Sequence, residues 1–410
     1  MDMTPRPDME AFFLLQKLDA KLLPPFKVKD NIIDDFTNLC DVYYQFLEDF
    51  INSEKSALSF KLSRRLNKVG NISLGLCNTM QYFLMGDIKK AYDTFDKIFQ
   101  DKSTQRYIHQ ICIPLTDISN GKKPLFRVRK SDKPLSRRED MFHIPFKLRH
   151  LVSAQRYSVA GLPCLYLGTS LYICWQEMNK PDFDKLYISS FESNDNEAKV
   201  LNFAPEVLFY KIDLSSYDNK RISSIPDIDT LLAYLTLYPL FIACSYVKSE
   251  QDASFTQEYI IPNLLMQWIS TRNRSNIVGI AYRSTKIVKT NHNSKAINVV
   301  LPPKTTYKQI TQNDFCPSLS SMFKLTLPVS WQVLKTLDYN LGRTSSKEKD
   351  EAEMLLKKKE LLFGIKNFDE DLLNFYPLTD FFKLESSIDG LLEYGKLSNK
   401  PIGGELAAKD

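Results

Sequence analysis

RYSVAGLPCLYLGTSLYICWQE, residues 156–177, passes from an arginine through a glycine turn and an apolar run to a single acid. Residues 164–168 have the short β-prone texture of a strand, and a short helix is expected to begin near Thr169 or Ser170. Leu171, Ile173, Cys174 and Trp175 would press the next turn into a core. The stretch therefore predicts a turn, a strand and a short helix ending in Trp175, Gln176 and Glu177. Glu177 falls at the margin of that packed structure, where a carboxylate needs a polar partner or a ligand. Read alone, the segment favours a surface or salt-bridged glutamate.

Working outward, further β-prone runs lie on both sides: LFRVR, KLYISSF, VLFYKIDL, NIVGIAY and INVVL, separated by polar turns and some helical stretches. The middle of the chain is thus α/β or α+β. Upstream the texture is helical. Ile32, Phe36, Leu39, Tyr43, Phe46, Leu47 and Phe50 recur at three- and four-residue steps, and residues 87–101 repeat the pattern. Pro24, Pro25 and the glycines at 70, 75 and 86 are expected to separate the helices of a small bundle. Beyond residue 330 the chain turns helical again, with a Ser345-x-x-Glu348 capping signal opening a charged, solvated helix. Residues 395–410 read as a loose tail. The expected division is 1–115, an N-terminal helical domain; 116–330, a mixed domain; and 331–410, a helical extension.

Composition removes several classes. With 410 residues, 43% of them hydrophobic, the chain can bury a sizeable core. The 54 basic and 49 acidic residues leave a net charge of +5, spread too evenly to argue for specific nucleic-acid binding or for an anionic membrane. Seven scattered cysteines, without a C-x-x-C pair, read as reduced core thiols. The opening MDMTPRPDMEAFF lacks the pattern of a secretory signal, so the expectation is a cytoplasmic protein. The uncharged run 231–247 is short for a bilayer span, and Pro239 is expected to divide it into a buried helix and a strand. Thirteen glycines form neither a dinucleotide fingerprint nor a P-loop, and four histidines offer little material for a metal site or a triad.

The wider pattern gives Glu177 more weight. PLFRVRK (124–130), MFHIPF (141–146), RYSVAG (156–161), LYLGTS (165–170), Glu177, GIAYRST (279–285) and INVVLPP (297–303) stand in an order and spacing that resembles the RES domain family, named for its arginine, glutamate and serine. The resemblance covers about residues 116–310. It implies an α+β chain in which an N-terminal helical bundle precedes an ADP-ribosyltransferase-like RES domain. It also implies an enzyme that degrades NAD+ by water or inorganic phosphate, as a growth-arresting toxin or abortive-infection effector. NAD+ is then a substrate, phosphate a potential co-substrate, and neither a metal nor a resident cofactor is needed.

Carried across residue by residue, the family's first arginine falls on Arg127, with Arg129 two residues along on the same face. A guanidinium suits a pyrophosphate because its planar fork donates two charge-assisted hydrogen bonds. The second arginine falls on Arg156, with serine where asparagine is common, and Gly161 would let the backbone turn beside an anion. Tyr166 matches the strand tyrosine implied to meet nicotinamide. Glu177 matches the acid that would stabilise an oxocarbenium-like ribose, and Ser284 the serine that would hydrogen-bond ribose or amide. No base adjoins Ser284 in sequence, so a covalent serine mechanism is not expected.

Three other readings remain. The same fold could transfer ADP-ribose to a protein or nucleotide. RREDMFH places Arg138 and His143 at the loose spacing of HEPN ribonucleases, although Pro134 and Pro145 leave room for only a short helix. A binding protein with a dead mixed domain is the third. The partners implied are an inhibitory antitoxin or regulatory protein and a second copy of the chain through its helical regions.

Overall fold

Residues 171–177 form the predicted short helix, Leu171–Glu177, directly after a strand, Leu165–Gly168, with Ser170 as its cap. The computed structural model describes residues 10, 14–15, 17–159, 161–205, 227–250, 252–272, 275–286, 294–336, 372–373 and 375–397. The run VLFYKIDL and the charged helix expected over 344–365 lie outside them.

The chain divides into two compact units. The first comprises residues 1–112, 155–157 and 201–268. Its helices Ile32–Ser53 and Ile88–Gln100 bury most of the predicted stripes, among them Phe36, Tyr43, Leu47 and Phe95, and a further helix, Leu66–Leu84, buries Leu76. Asn31 and Asp87 cap two of these helices by accepting first-turn N–H groups. Gly86, at φ +83, breaks the chain as expected. Gly70 and Gly75 do not, since both lie inside the helix Leu66–Leu84. A side chain at Gly75 would collide with Ile98, so this glycine serves a close helix-to-helix approach, which sequence reading mistook for a break. Residues 231–247 also differ from expectation. Pro239 starts a second helix, Tyr238–Cys244, after Ile228–Thr236, and no strand follows it among the described residues. Proline is tolerated there because a first-turn N–H needs no helical partner. These helices join the N-terminal ones within the unit: Tyr43 donates its hydroxyl to Leu235 O at 2.6 Å and stacks on Tyr238.

The second unit comprises residues 113–154, 158–200 and 269–410. Most of the strands lie in it: β1 (Cys112–Pro114), β2 (Leu125–Lys130), β3 (Leu165–Gly168), β4 (Leu186–Ser193), β5 (Lys199–Phe203), β6 (Ile277–Arg283), β7 (Ile297–Leu301), β8 (Phe323–Leu325) and β9 (Val329–Ser330), of which Cys112 and residues 201–203 belong to the first unit. Among the described residues they form one sheet in the order β1-β5-β6-β7-β3-β2-β4-β8, with β9 on β4. The strands β2, β3, β4, β6 and β7 are the runs legible in the sequence. Pairing is uneven. The β2–β4 ladder holds six residue pairs and the β3–β7 ladder four, whereas β2 and β3 meet only at Phe126↔Gly168.

One core lies around Leu125, Leu165, Leu167, Phe142, Val299 and Leu301, and a second around Phe126, Leu171, Ile173, Ile188, Trp331 and Ile388. The second core draws on the helix Asp380–Leu391, so the described part of the expected extension packs within this unit. The start of the expected loose tail is held in place, since Gly395 exchanges two backbone hydrogen bonds with Leu325 at 3.0 Å and Leu397 is buried; residues 398–410 lie outside the described residues.

His143 belongs to the first of these cores. It is fully buried; its Nε2 accepts the Cys316 N–H at 2.9 Å, so the proton sits on Nδ1 and is donated to Ile144 O at 2.8 Å. Arg138 is committed to the carbonyls of Leu325 and Glu393. Neither side chain is placed to meet an RNA phosphate with the other, which removes the basis for the HEPN reading. Burial pushes the His143 pKa down to about 4, from 6.5 in an unfolded chain. The unfolded state therefore takes up the proton first. His143 contributes its full stability above pH 6.5 and loses it progressively as the pH falls towards 4, about 3 kcal/mol in all. His143→Gln, measured by urea unfolding across this window, is expected to flatten that part of the pH dependence.

Candidate active site

Helix 171–177 is carried on β3. A side chain at Gly168 would collide with Ile173 and Cys174, so glycine is what lets the helix lie against the strand. Asn179 and Lys180 follow at φ 62 and 53, and their N–H groups return to the carbonyls of Gln176 and Trp175, closing the helix just beyond Glu177. Gly168→Ala is expected to lift the helix from the strand, costing about 1–3 kcal/mol by overpacking and displacing Glu177. Thermal unfolding checks the first effect and the activity proposed below the second.

The Glu177 carboxylate is half-buried, and its two oxygens have different surroundings. Oε1 accepts the Ser284 hydroxyl at 2.7 Å and the Asn298 amide at 2.6 Å. Oε2 lies 3.8 Å from Lys286 Nζ. Ser284 follows the end of β6, where its N–H bonds Ala296 O, and its own hydroxyl also accepts the Lys286 N–H. Ser284 and Asn298 are both buried, so neither donor faces competition from bulk water.

Lys286 is more than a counter-ion. Its ammonium donates to the carbonyls of Gln176 and Glu177 and to Asn179 Oδ1, at 3.2, 2.7 and 2.7 Å. A cation there satisfies the open carbonyls at the negative end of the helix. Burial lowers its pKa while Glu177 opposes that shift.

Arg127 occupies the place where β2 and β3 part after their single pair. Its Nη1 donates to Tyr166 O at 3.2 Å, and its Nε is buried without a partner. Among the described residues no carboxylate pairs with it. Burial, helped by neighbouring Arg129, lowers its pKa to about 10, which still leaves it charged at neutral pH. Arg129 is spent on Asp140 O. Cys174 donates its thiol to Phe126 O at 3.2 Å, which ties the helix that ends in Glu177 to the strand that carries Arg127.

Tyr166 is paired with Val300, and Gly168 with Asn298, so these four residues share one face of the sheet. Burial pushes the Tyr166 phenol well upward and keeps it protonated. Arg156 lies in the first unit, where it donates to Cys244 O, at the end of helix Tyr238–Cys244, and sits over the Tyr259 ring. Four of the five candidates therefore belong to one unit, and Glu177 and Ser284 touch.

Sequence reading missed Asn298 and Lys286. Asn298 had a visible signal, a single polar residue inside the apolar strand INVVL. Lys286 had none, because its role depends on where the helix end falls. Among the described residues, no group of three or more histidine, cysteine, aspartate or glutamate side chains could hold a metal ion. All seven cysteines are free thiols. No helix of the described residues is long and apolar enough to cross a membrane.

Fold and site together define a mixed α and β protein whose second unit holds a hydrogen-bonded carboxylate and a buried guanidinium. The chain is 28% identical over 326 residues to a Bacillus subtilis (strain 168) protein named "Putative toxin YopC", covering 79% of this chain and 71% of that protein. No protein-family model and no solved structure matches the chain.

Proposed function

We propose that this protein is a toxin that cleaves the nicotinamide–ribose bond of NAD+, with an RES-type, ADP-ribosyltransferase-like second unit. The observation that carries the reading is the carboxylate of Glu177, held through one oxygen by Ser284 and Asn298, in the same unit as a buried Arg127 without an acidic partner among the described residues. The order of the motifs and the name of the bacterial relative agree with it.

The chemistry asks for this arrangement. As the glycosidic bond breaks, nicotinamide leaves with the bonding pair and positive charge gathers on the ribose. The charge moves there from the nicotinamide ring, so a carboxylate fixed at the ribose stabilises the transition state more than the ground state, in which the ribose is uncharged. Two donors on Oε1 hold its orientation and leave Oε2 for the sugar. Arg127 supplies a pre-organised fork for the pyrophosphate, and Tyr166 offers a neutral aromatic ring. Water or inorganic phosphate then adds to the anomeric carbon. An inhibitory partner would follow from the toxic activity.

The test is to incubate purified protein with NAD+, with and without inorganic phosphate, and identify the products by mass spectrometry. Nicotinamide with ADP-ribose denotes hydrolysis, and nicotinamide with an ADP-ribose phosphate denotes phosphorolysis. Label retained on a macromolecule denotes transfer. Intact NAD+ in every condition overturns the proposal.

A further inference from the structure

We propose that Glu385 is a positioning residue for the reaction at Glu177, acting through helix 171–177, so that the C-terminal helix Asp380–Leu391 is a working part of the site. This rests on the reading of Glu177 as the reacting carboxylate. Glu385 is 4% exposed, and its Oε1 accepts the Leu171 N–H, at the start of that helix, at 2.7 Å. The Tyr376 hydroxyl donates to the same oxygen, and Lys295 Nζ lies 3.5 Å from Oε2. Lys295 in turn accepts the Ser170 hydroxyl on its carbonyl at 2.6 Å, while Ser170 Oγ takes the Ile173 N–H at 3.1 Å. The first turn is thus held from the C-terminal helix and from the β6–β7 connection together.

Two physical arguments turn this anchoring into positioning. A seven-residue helix is too short to persist alone in water, and it is only about 10 Å long. A tilt at Leu171 therefore reaches Glu177 undamped. Both ends of the helix are also held by the charge that its dipole favours, Glu385 at the start and Lys286 at the finish. Both lysines of the network, Lys286 and Lys295, come from the connection between β6 and β7. The β6–β7 connection therefore holds the helix carrying Glu177 at both ends, and the C-terminal helix holds it at its start. The carboxylate charge itself is costly to bury, and burial raises the Glu385 pKa against the pull of Lys295. A residue required only to fill space would not need it.

The experiment compares wild type, Glu385→Ala and Glu385→Gln as full-length proteins. It reads kcat and KM for NAD+, and amide hydrogen exchange over 171–177. The expected result for Glu385→Ala is native-like circular dichroism, kcat lower by about 10-fold or more, an unchanged KM and faster exchange in the helix. Glu385→Gln keeps an oxygen for Leu171 and Tyr376 and is expected to recover most of both. A wild-type kcat in Glu385→Ala overturns the proposal, as does a loss that only tracks the folded fraction. If Glu385→Ala does not fold, Tyr376→Phe removes one donor from the same oxygen, and unchanged kcat and exchange there overturn it equally. If wild type leaves NAD+ intact, the proposed function fails by itself. Exchange over 171–177 then decides the anchoring, and unaltered protection in Glu385→Ala refutes it.

Discussion

Glu177→Gln is expected to lower kcat for NAD+ cleavage by about 10²–10³-fold, the usual scale for removing one pre-organised electrostatic contact to a developing charge. The fold should not change, for a local reason. The glutamine side-chain oxygen can still accept from Ser284 and Asn298, so the two strongest contacts of Oε1 survive. What disappears is the negative charge that lies 3.8 Å from Lys286 and that the proposed reaction needs beside the ribose. That ion pair is partly exposed, so its own contribution to stability is small. KM should move little, because the lost attraction is greatest in the transition state. Steady-state kinetics alongside thermal unfolding separates the possibilities: equal losses in activity and folding would make Glu177 structural, and full activity would remove it from the chemistry.

Arg127→Met is expected to act in the opposite register. A residue that holds the pyrophosphate in both ground and transition states should raise KM by about 10- to 100-fold, from hydrogen bonds to a charged group of roughly 1.5–3 kcal/mol. Its effect on kcat should be slight. Stability supplies the discriminating readout. Nε of Arg127 is buried without a partner, and no carboxylate among the described residues compensates the charge, so the folded protein bears a desolvation cost that methionine removes. The variant should unfold at the wild-type temperature or above while binding NAD+ weakly. An arginine kept for structure would give the reverse: a less stable protein with its KM intact. Calorimetric titration of NAD+ into Glu177→Gln, with and without Arg127→Met, measures the binding loss without turnover.

The contrast between these two residues shows how much of the site could be read from the chain. Glu177, read locally as a surface or salt-bridged acid, and Ser284 were singled out by the ordered motifs that resemble the RES family, and the structure places the two side chains in direct contact. Asn298 carried a local signal that was passed over, a polar residue in an apolar strand, yet only its pairing opposite Gly168 explains why it reaches Glu177. Arg156 shows the limit of local reading. Its motif lies 21 residues before Glu177, but its guanidinium caps a helix of the other unit.

The pattern extends to the fold. Hydrophobic periodicity and capping residues belong to stretches of a few turns, and these determined the helices at 32–53 and 88–100, the strands β2, β3, β4, β6 and β7, and the turn into helix 171–177. Associations over long separations were decided by tertiary packing alone: residues 201–268 joining the N-terminal helices, Gly75 serving contact with Ile98, and Glu385 seated against Leu171 across 214 positions. Apolar burial is non-directional, so a sequence declares which faces must be covered without naming what covers them. Only when the strands are in register do particular buried donors and acceptors meet, and it was that register which brought Ser284 and Asn298 to a single oxygen of Glu177.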